Sequence, residues 1–286
     1  MKKSPALTYH DIDIDFLRNK LKLKSFQKKA ELLKKYPYAT KLLGAGAIAS
    51  TLLLASPALN ALPKADNVSQ VVDIKTQTPN QILLNNLKSI LPAKVKPLSQ
   101  DDEKKIEVLF KDILGVPAKG TLESEHLNTT YGLIGAEQHL RRYPGDTISQ
   151  HGSGSVLQEG MAPGLGAWGY FASSKEKLTP NLVEDEKWYA VVQTLYLPDW
   201  SKRLTYLRDW YKYRKVLIVN TLNGNAVVAD VADSGPANWT GKSFGGSPEV
   251  MESLGGPRYK VGPVILFFVD DPNNQIPLGP VNYNNS

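Results

Sequence analysis

The stretch that most limits the fold is Lys215–Ala232. Two β-rich runs, KVLIVN (215–220) and AVVADVA (226–232), are joined by Leu222-Asn223-Gly224-Asn225. Asn-Gly between two such runs is a strong hairpin signal, because the tight turn needs positive φ angles that Asn and Gly adopt at low cost. Downstream, Ser247-Pro248-Glu249 supplies an N-cap, a proline at the first helical position and an acid in the first turn. A short helix is expected there, with Val250, Met251 and Leu254 on its apolar side and Gly255 at its end. VILFFV (264–269) then reads as a last buried strand.

The preceding residues have a different texture. Residues 64–98 read as a linker, punctuated by Pro79, Pro92 and Pro97, with a short helical pattern over Gln81–Ile90. Ser99 and Asp102 form a capping signal, and Ile106, Leu109, Phe110 and Ile113 recur at helical spacing until Gly115 and Pro117. Leu127–Leu140 carries a weaker helical pattern, closed by the turn Tyr143-Pro144-Gly145-Asp146. Residues 99–150 are therefore expected to be a small helical region. Within the later part, WSKRLTYLRDWYKY (200–213) predicts a helix with Trp200, Leu204, Leu207 and Tyr211 inward. From Asn273 onward the Asn- and Pro-rich tail, 273–286, is expected to be poorly ordered.

Charge is divided unevenly along the chain. Residues 1–41 hold eleven of the 34 Lys/Arg and four of the 28 Asp/Glu, so they carry +7 and the remaining 245 residues carry −1. After the basic segment, Leu42–Pro63 contains no charged residue, and at 1.5 Å per residue a helix of that length just spans a hydrocarbon core of about 30 Å. A basic flank before an apolar run predicts a cytoplasmic N-terminus and an exported remainder in the cell envelope. Small residues in Ser56-Pro57-Ala58 and Leu59-Asn60-Ala61 fit a cleaved signal peptide, whereas the long basic pre-segment fits an uncleaved anchor. Since the charge is a topology signal, nucleic acid is not an expected partner. The absence of cysteine excludes thiolate metal sites, thiol nucleophiles and a lipid-modified cysteine.

The most informative chemistry lies in VVADVADSGP (227–236). Period-two alternation puts Val227, Ala229, Val231 and Asp233 in one row, with Asp233 at the strand's exit before Ser234-Gly235-Pro236. A carboxyl against an apolar wall is kept protonated toward neutral pH, as a general acid requires. The alternative is an aspartate that caps its own turn through backbone N–H groups.

The order of strand, Asn-Gly hairpin, strand ending in Asp-x-Gly-Pro, short helix with Leu-Gly and final apolar strand resembles the six-stranded double-psi β-barrel of rare-lipoprotein-A-like and expansin-like proteins. The pieces that carry it are VLIVNTLNGNAVVADVADSGP (216–236), SPEVMESLGG (247–256) and YKVGPVILFFV (259–269), with Gly166–Phe171 similar to the family's first strand. The resemblance implies a mainly β domain over 151–272, preceded by the helical region and the membrane segment. It also implies a wall glycan, peptidoglycan above all, as partner, and places Asp233 where the family's lytic transglycosylases carry an aspartate linked to glycan cleavage. Such an enzyme forms a 1,6-anhydro sugar ring, while the expansin-like members imply a wall-binding module without catalysis. A third reading is a structural partner in an envelope complex, with the 99–150 helices as its interaction surface. The family's second aspartate after the turn is absent here, as is its histidine before the middle strands in WYAVVQTLYL (188–197). A second carboxylate would have to come from Glu159, Glu184, Asp185 or Glu186.

All five tryptophans fall between Trp168 and Trp239. Trp168, Tyr170 and Trp239 flank the Asp233 turn and are candidates to stack on sugar rings, or else to fill the barrel. His126, His139 and His151 lack His-Glu-x-x-His or His-x-His spacing, so no metal is expected. Neither a phosphate loop nor a Gly-x-Ser-x-Gly elbow occurs, and no cofactor is expected.

Overall fold

Six strands close on one another in a ring that runs Tyr131–Ala136, Val261–Val269, Lys215–Asn220, Ala226–Ser234, Tyr189–Val192, Phe244–Gly246 and back to the first. They are β4 (Tyr131–Ala136), β5 (Tyr189–Val192), β6 (Lys215–Asn220), β7 (Ala226–Ser234), β8 (Phe244–Gly246) and β9 (Val261–Val269). Pairing is mixed: β7/β5 and β8/β4 are parallel, and the other four pairs are antiparallel. Closure leaves the barrel without a free edge at these pairs. Short strands β1 (Ala118–Lys119) and β10 (Gly279–Pro280) extend the sheet beside β9 and β7, while β2 (Thr121–Leu122) and β3 (Glu125–His126) pair separately.

This computed structural model describes residues 77–284, and among them five α-helices accompany the strands. They are α1 (Pro79–Ile90), α2 (Gln100–Leu114), α3 (Pro180–Lys187), α4 (Leu204–Tyr211) and α5 (Pro248–Gly255). The basic segment 1–41, the apolar run 42–63 and the start of the linker lie outside the described residues. Among the described residues no helix is long and apolar enough to cross a membrane.

The strands are apolar on both faces because both faces are covered. Val216 and Ile218 of β6 point into the barrel with Val227, Ala229 and Val231 of β7. Leu217 and Val219 point outward and pack with Ile265 and Phe267 of β9 under α1 and α2. This is why KVLIVN and VILFFV are unbroken apolar runs and not alternating ones. The ends of α2 follow its sequence, with Ser99 Oγ accepting from the Asp102 N–H and Gly115 in the left-handed conformation. In α5, Ser247 caps the Val250 N–H as its spacing predicts.

Four expectations are corrected. Leu127–Leu140 is not helical, and its centre is β4, the barrel's first strand in the chain, so the barrel begins ahead of residue 151. The misleading signal is Tyr131 and Ile134, whose spacing of three suits one helix face. In the strand they fall on opposite faces, Tyr131 in the outer cluster and Ile134 in the interior. Gly166–Phe171 is a loop with a lone Gly166–Gly169 bridge, not a strand. In α4 it is Leu207, Trp210 and Tyr211 that are buried, whereas Leu204 is 48% exposed. Residues 273–284 are ordered, for β10 pairs with β7 and Tyr283 is buried against α1 and the 223–224 turn.

Candidate functional site

A bulge decides where Asp233 points. Along β5 and β7, Tyr189 faces Asp230 and Ala190 faces Val231, but Val191 faces Asp233, so Ala232 is the extra residue. An inserted residue re-aims the side chains that follow it. Asp233 therefore leaves the interior row of Val227, Ala229 and Val231 and lines up with Val191, which packs on the outer face with Leu140, Tyr189 and Ala232. Strict alternation places Asp233 in the interior row, and this one residue overturns that.

Asp233 Oδ1 accepts the Ser234 N–H at 2.7 Å and the Ala167 N–H at 2.8 Å. The Ala167 loop reaches it because Gly166 lies on the Ala232 carbonyl; a Cβ at Gly166 would stand 2.8 Å from that oxygen. Oδ2 makes no hydrogen bond among the described residues. Burial raises the carboxyl above its ordinary pKa, and the two N–H groups only partly offset this.

A second carboxyl lies on the same face. Glu137 directly follows β4, its N–H bonded to the Gly246 carbonyl at 2.9 Å. Its side chain crosses Gly245, where an added Cβ would stand 2.5 Å from Glu137 Oε1. Gly245 pairs with Val191, and Val191 with Asp233, so Glu137, Gly245, Val191 and Asp233 form one row across the outer surface. Two strand spacings separate the Gly245 and Asp233 backbones, roughly 10 Å. Burial raises the Glu137 carboxyl, Lys242 lowers it and the Asp233 charge raises it again.

None of the four acids expected as partners reaches this row. Glu159 pairs with Lys260, Glu184 accepts the Trp188 indole N–H at 2.8 Å, Asp185 hydrogen-bonds Asp230, and Glu186 lies in a buried cluster. Glu137 is the acid that the sequence hides. Its signal is a position one residue beyond a strand end, legible only once Tyr131–Ala136 is read as a strand.

The three aromatic candidates have separate fates. Trp239 rides on the Asn238–Thr240 turn and is 80% exposed, and Tyr170 is 37% exposed. The Trp239 loop is tied down by Gln193 Nε2, which donates toward Pro236 O (2.8 Å), Asn238 Oδ1 (2.9 Å) and Lys242 O (3.2 Å). Trp168 is half-buried against the barrel interior, and its indole N–H donates to Arg208 O at 3.0 Å. Trp188 and Trp210 are core residues.

Behind Glu137 lies a second polar group that sequence spacing does not reveal. His139, His151 and Glu186 are buried together, one donor atom of each within 4.8 Å of the others. His139 Nδ1 is 3.3 Å from Glu186 Oε1, and His151 Nδ1 is 3.1 Å from Glu186 Oε2. Arg142 grips Glu186 Oε2 through Nε at 2.8 Å and a terminal nitrogen at 2.7 Å. Burial alone would raise the Glu186 carboxyl, but His139, His151 and Arg142 bring it down to about 2.

Compared with known proteins, the chain matches no family model and no curated protein.

Proposed function

We propose that the barrel acts on wall glycan, cleaving peptidoglycan strands by a lytic-transglycosylase reaction with Asp233 as acid and then base. The observation that carries this reading is Asp233 itself: a carboxyl raised by burial, held by one oxygen and free at the other, on a face shared with Glu137. The closed six-stranded mixed barrel is compatible with a double-psi topology of the rare-lipoprotein-A-like type. Trp239 and Tyr170 are exposed on the two loops that adjoin Asp233 in the chain or bond to it, and offer faces for sugar rings.

In this reaction protonated Asp233 gives its proton to the glycosidic oxygen as the C1–O bond breaks. Its carboxylate then takes the proton of the sugar's own 6-hydroxyl as O6 bonds to C1, so no water is consumed. Glu137, on the same face, would stabilise positive charge developing at C1 once ionised; burial raises its carboxyl and Lys242 only partly offsets this. The reading rests on the expectation that the basic N-terminal segment and apolar run direct the barrel out of the cytoplasm, where this substrate lies.

The test is to incubate the full-length chain with purified sacculi and analyse the released products. Wild type should release anhydro-muropeptides, and Asp233→Asn should release at least a hundredfold less. No release by wild type, or equal release by Asp233→Asn, refutes catalysis. One observation favours a second reading, a non-catalytic wall-binding module: the two backbone N–H groups on Asp233 Oδ1 are also what a turn-stabilising aspartate would have. That reading expects sedimentation with sacculi, lost on Trp239→Ala and Tyr170→Ala and retained in Asp233→Asn.

A further inference from the structure

Six ionisable side chains meet behind β4, drawn from parts of the chain far apart in sequence. His139, Arg142, Asp146 and His151 belong to the segment after β4, Glu186 ends α3 and Glu249 lies in the first turn of α5. All are at least nine-tenths buried. With both imidazoles neutral, three carboxylates stand against one guanidinium and leave two negative charges. A buried excess of that size must be neutralised. Two added protons or one divalent cation would do so equally in charge.

Hydrogen bonding distinguishes them. His139 Nε2 lies 3.0 Å from the Val156 carbonyl and His151 Nε2 lies 2.8 Å from Asp146 Oδ2, both acceptors that fix a proton on Nε2. The neutral tautomer of each ring then turns the lone pair of Nδ1 inward, toward Glu186. Outer N–H groups held by a carboxylate or a carbonyl, with the inner nitrogens converging, are the arrangement around metal-ligating histidines. Glu249 gives the independent sign. Its Oε2 is buried without a hydrogen-bond partner and points at His139 Nδ1 from 4.0 Å. A proton on His139 Nδ1 serves Glu186 at 3.3 Å and leaves the Glu249 oxygen unserved, whereas an ion between the rings would take both.

We infer that His139, His151, Glu186 and Glu249 form a structural site for one divalent cation of the zinc class. Four ligands at about 2.0–2.1 Å around such an ion have edges of roughly 3.3 Å. The separations of 3.3 Å from His139 Nδ1 to Glu186 Oε1 and 3.1 Å from His151 Nδ1 to Glu186 Oε2 are of that size but use the two oxygens of one carboxylate; with one atom from each residue the three donors lie within 4.8 Å, so binding draws the rings inward, as it does Glu249 Oε2 from 4.0 Å. Imidazole and carboxylate donors, with no thiolate in the chain, suit zinc and its first-row neighbours. Arg142 and Leu140 N–H hold Glu186 from behind as outer partners. The ion joins the segment after β4 to α3 and α5, which fixes the backbone two residues beyond Glu137. The inference does not depend on the wall-glycan reading.

The experiment is zinc binding by the full-length chain after stripping with a chelator. Elemental analysis should find about one zinc per chain after reloading. Cobalt should give the visible absorption of a four-coordinate N/O site, and zinc should raise the melting temperature of the stripped chain where magnesium does not. Glu249→Gln, which keeps the side chain's size, should weaken zinc binding at least tenfold with unchanged far-UV circular dichroism. The double variant His10→Gln/His126→Gln should keep one zinc, which excludes the other two histidines. Zinc uptake below about a tenth of an equivalent by the stripped chain, equal affinity in Glu249→Gln, or loss of the zinc in the double variant would each overturn the site. His139→Ala is the direct ligand deletion, and Glu249→Gln keeps the test decisive if that variant does not fold.

Discussion

Phe110→Ala is the perturbation that best tests whether α2 is part of the barrel's fold. Phe110 is fully buried in the cluster outside the barrel, and its ring meets Phe267 of β9 edge-on, with centroids 5.5 Å apart at 64°. Truncating a buried Phe costs about 3–5 kcal/mol, of which the aromatic pair accounts for about 0.5–1.5. For a unit of roughly 200 residues each kcal/mol moves the melting temperature by about 2–4 °C, so the expected fall is about 6–20 °C. Urea melts followed by circular dichroism on wild type, Phe110→Ala, Phe267→Ala and the double variant close a thermodynamic cycle, with an expected coupling of about 1 kcal/mol. One transition should persist, with its midpoint shifted and its slope unchanged. A loss below about 1 kcal/mol, or a melt that splits into a weak helical step and an unshifted barrel step, would refute the reasoning. In that case α2 would be an appendage.

Four further outcomes are expected. Tyr283→Phe should lose about 1–2 kcal/mol in the same melts, because its hydroxyl donates to Gly224 O at 2.7 Å and accepts from Asn80; no change would mean that these hydrogen bonds add nothing to stability. Trp239→Ala should leave stability within about 0.5 kcal/mol, its ring being open to solvent, yet weaken sedimentation with sacculi. The Glu103 hydrogen bond raises the His126 pKa against the pull of burial, so the proton is held more tightly folded than unfolded. That stabilisation is complete below the free-imidazole value near 6.5 and is lost as pH rises through the raised value, so the melting temperature should fall across this window in wild type and be flatter in His126→Asn. Finally, Asp233 must be protonated to act as acid, so release of anhydro-products should decline as pH rises through its raised pKa; a rate that climbs over that range would exclude the role.

The barrel's second half was legible because its signals are local. The Asn-Gly hairpin of β6 and β7, the Ser247 cap of α5 and the apolar β9 each rest on a few adjacent residues. What escaped depends on partners distant in the chain. The Ala232 bulge is defined only by β5, so alternation within β7 alone carries Asp233 to the wrong face. Strand β4 contains Gly132 and Gly135 and takes its form from β8 and β9 on either side, so Glu137 looks like a mid-helix acid. His139, His151, Glu186 and Glu249 span more than a hundred residues and share no spacing that a motif could capture. In the tail, the buried Tyr283 and the β10 pairing outweigh an Asn- and Pro-rich composition that by itself suggests disorder.

Asn80 holds Asn284 and Tyr283 at one point, through its backbone N–H to Asn284 Oδ1 at 3.1 Å and its side-chain amide to the Tyr283 hydroxyl at 3.0 Å. The same amide reaches Asn223 O at 2.7 Å, so α1 and the last described residues are fastened over the β6–β7 turn. Their closeness means that the order of the strands along the chain is not the only order that can build this barrel. A short linker from residue 284 to residue 79, with the chain reopened at exposed Ser201–Lys202, would give a circular permutant with every barrel strand intact. In such a chain the hairpin of β6 and β7 would be synthesised first, and β4 and then β5 would follow β9, which separates the barrel's geometry from the sequence in which its strands emerge.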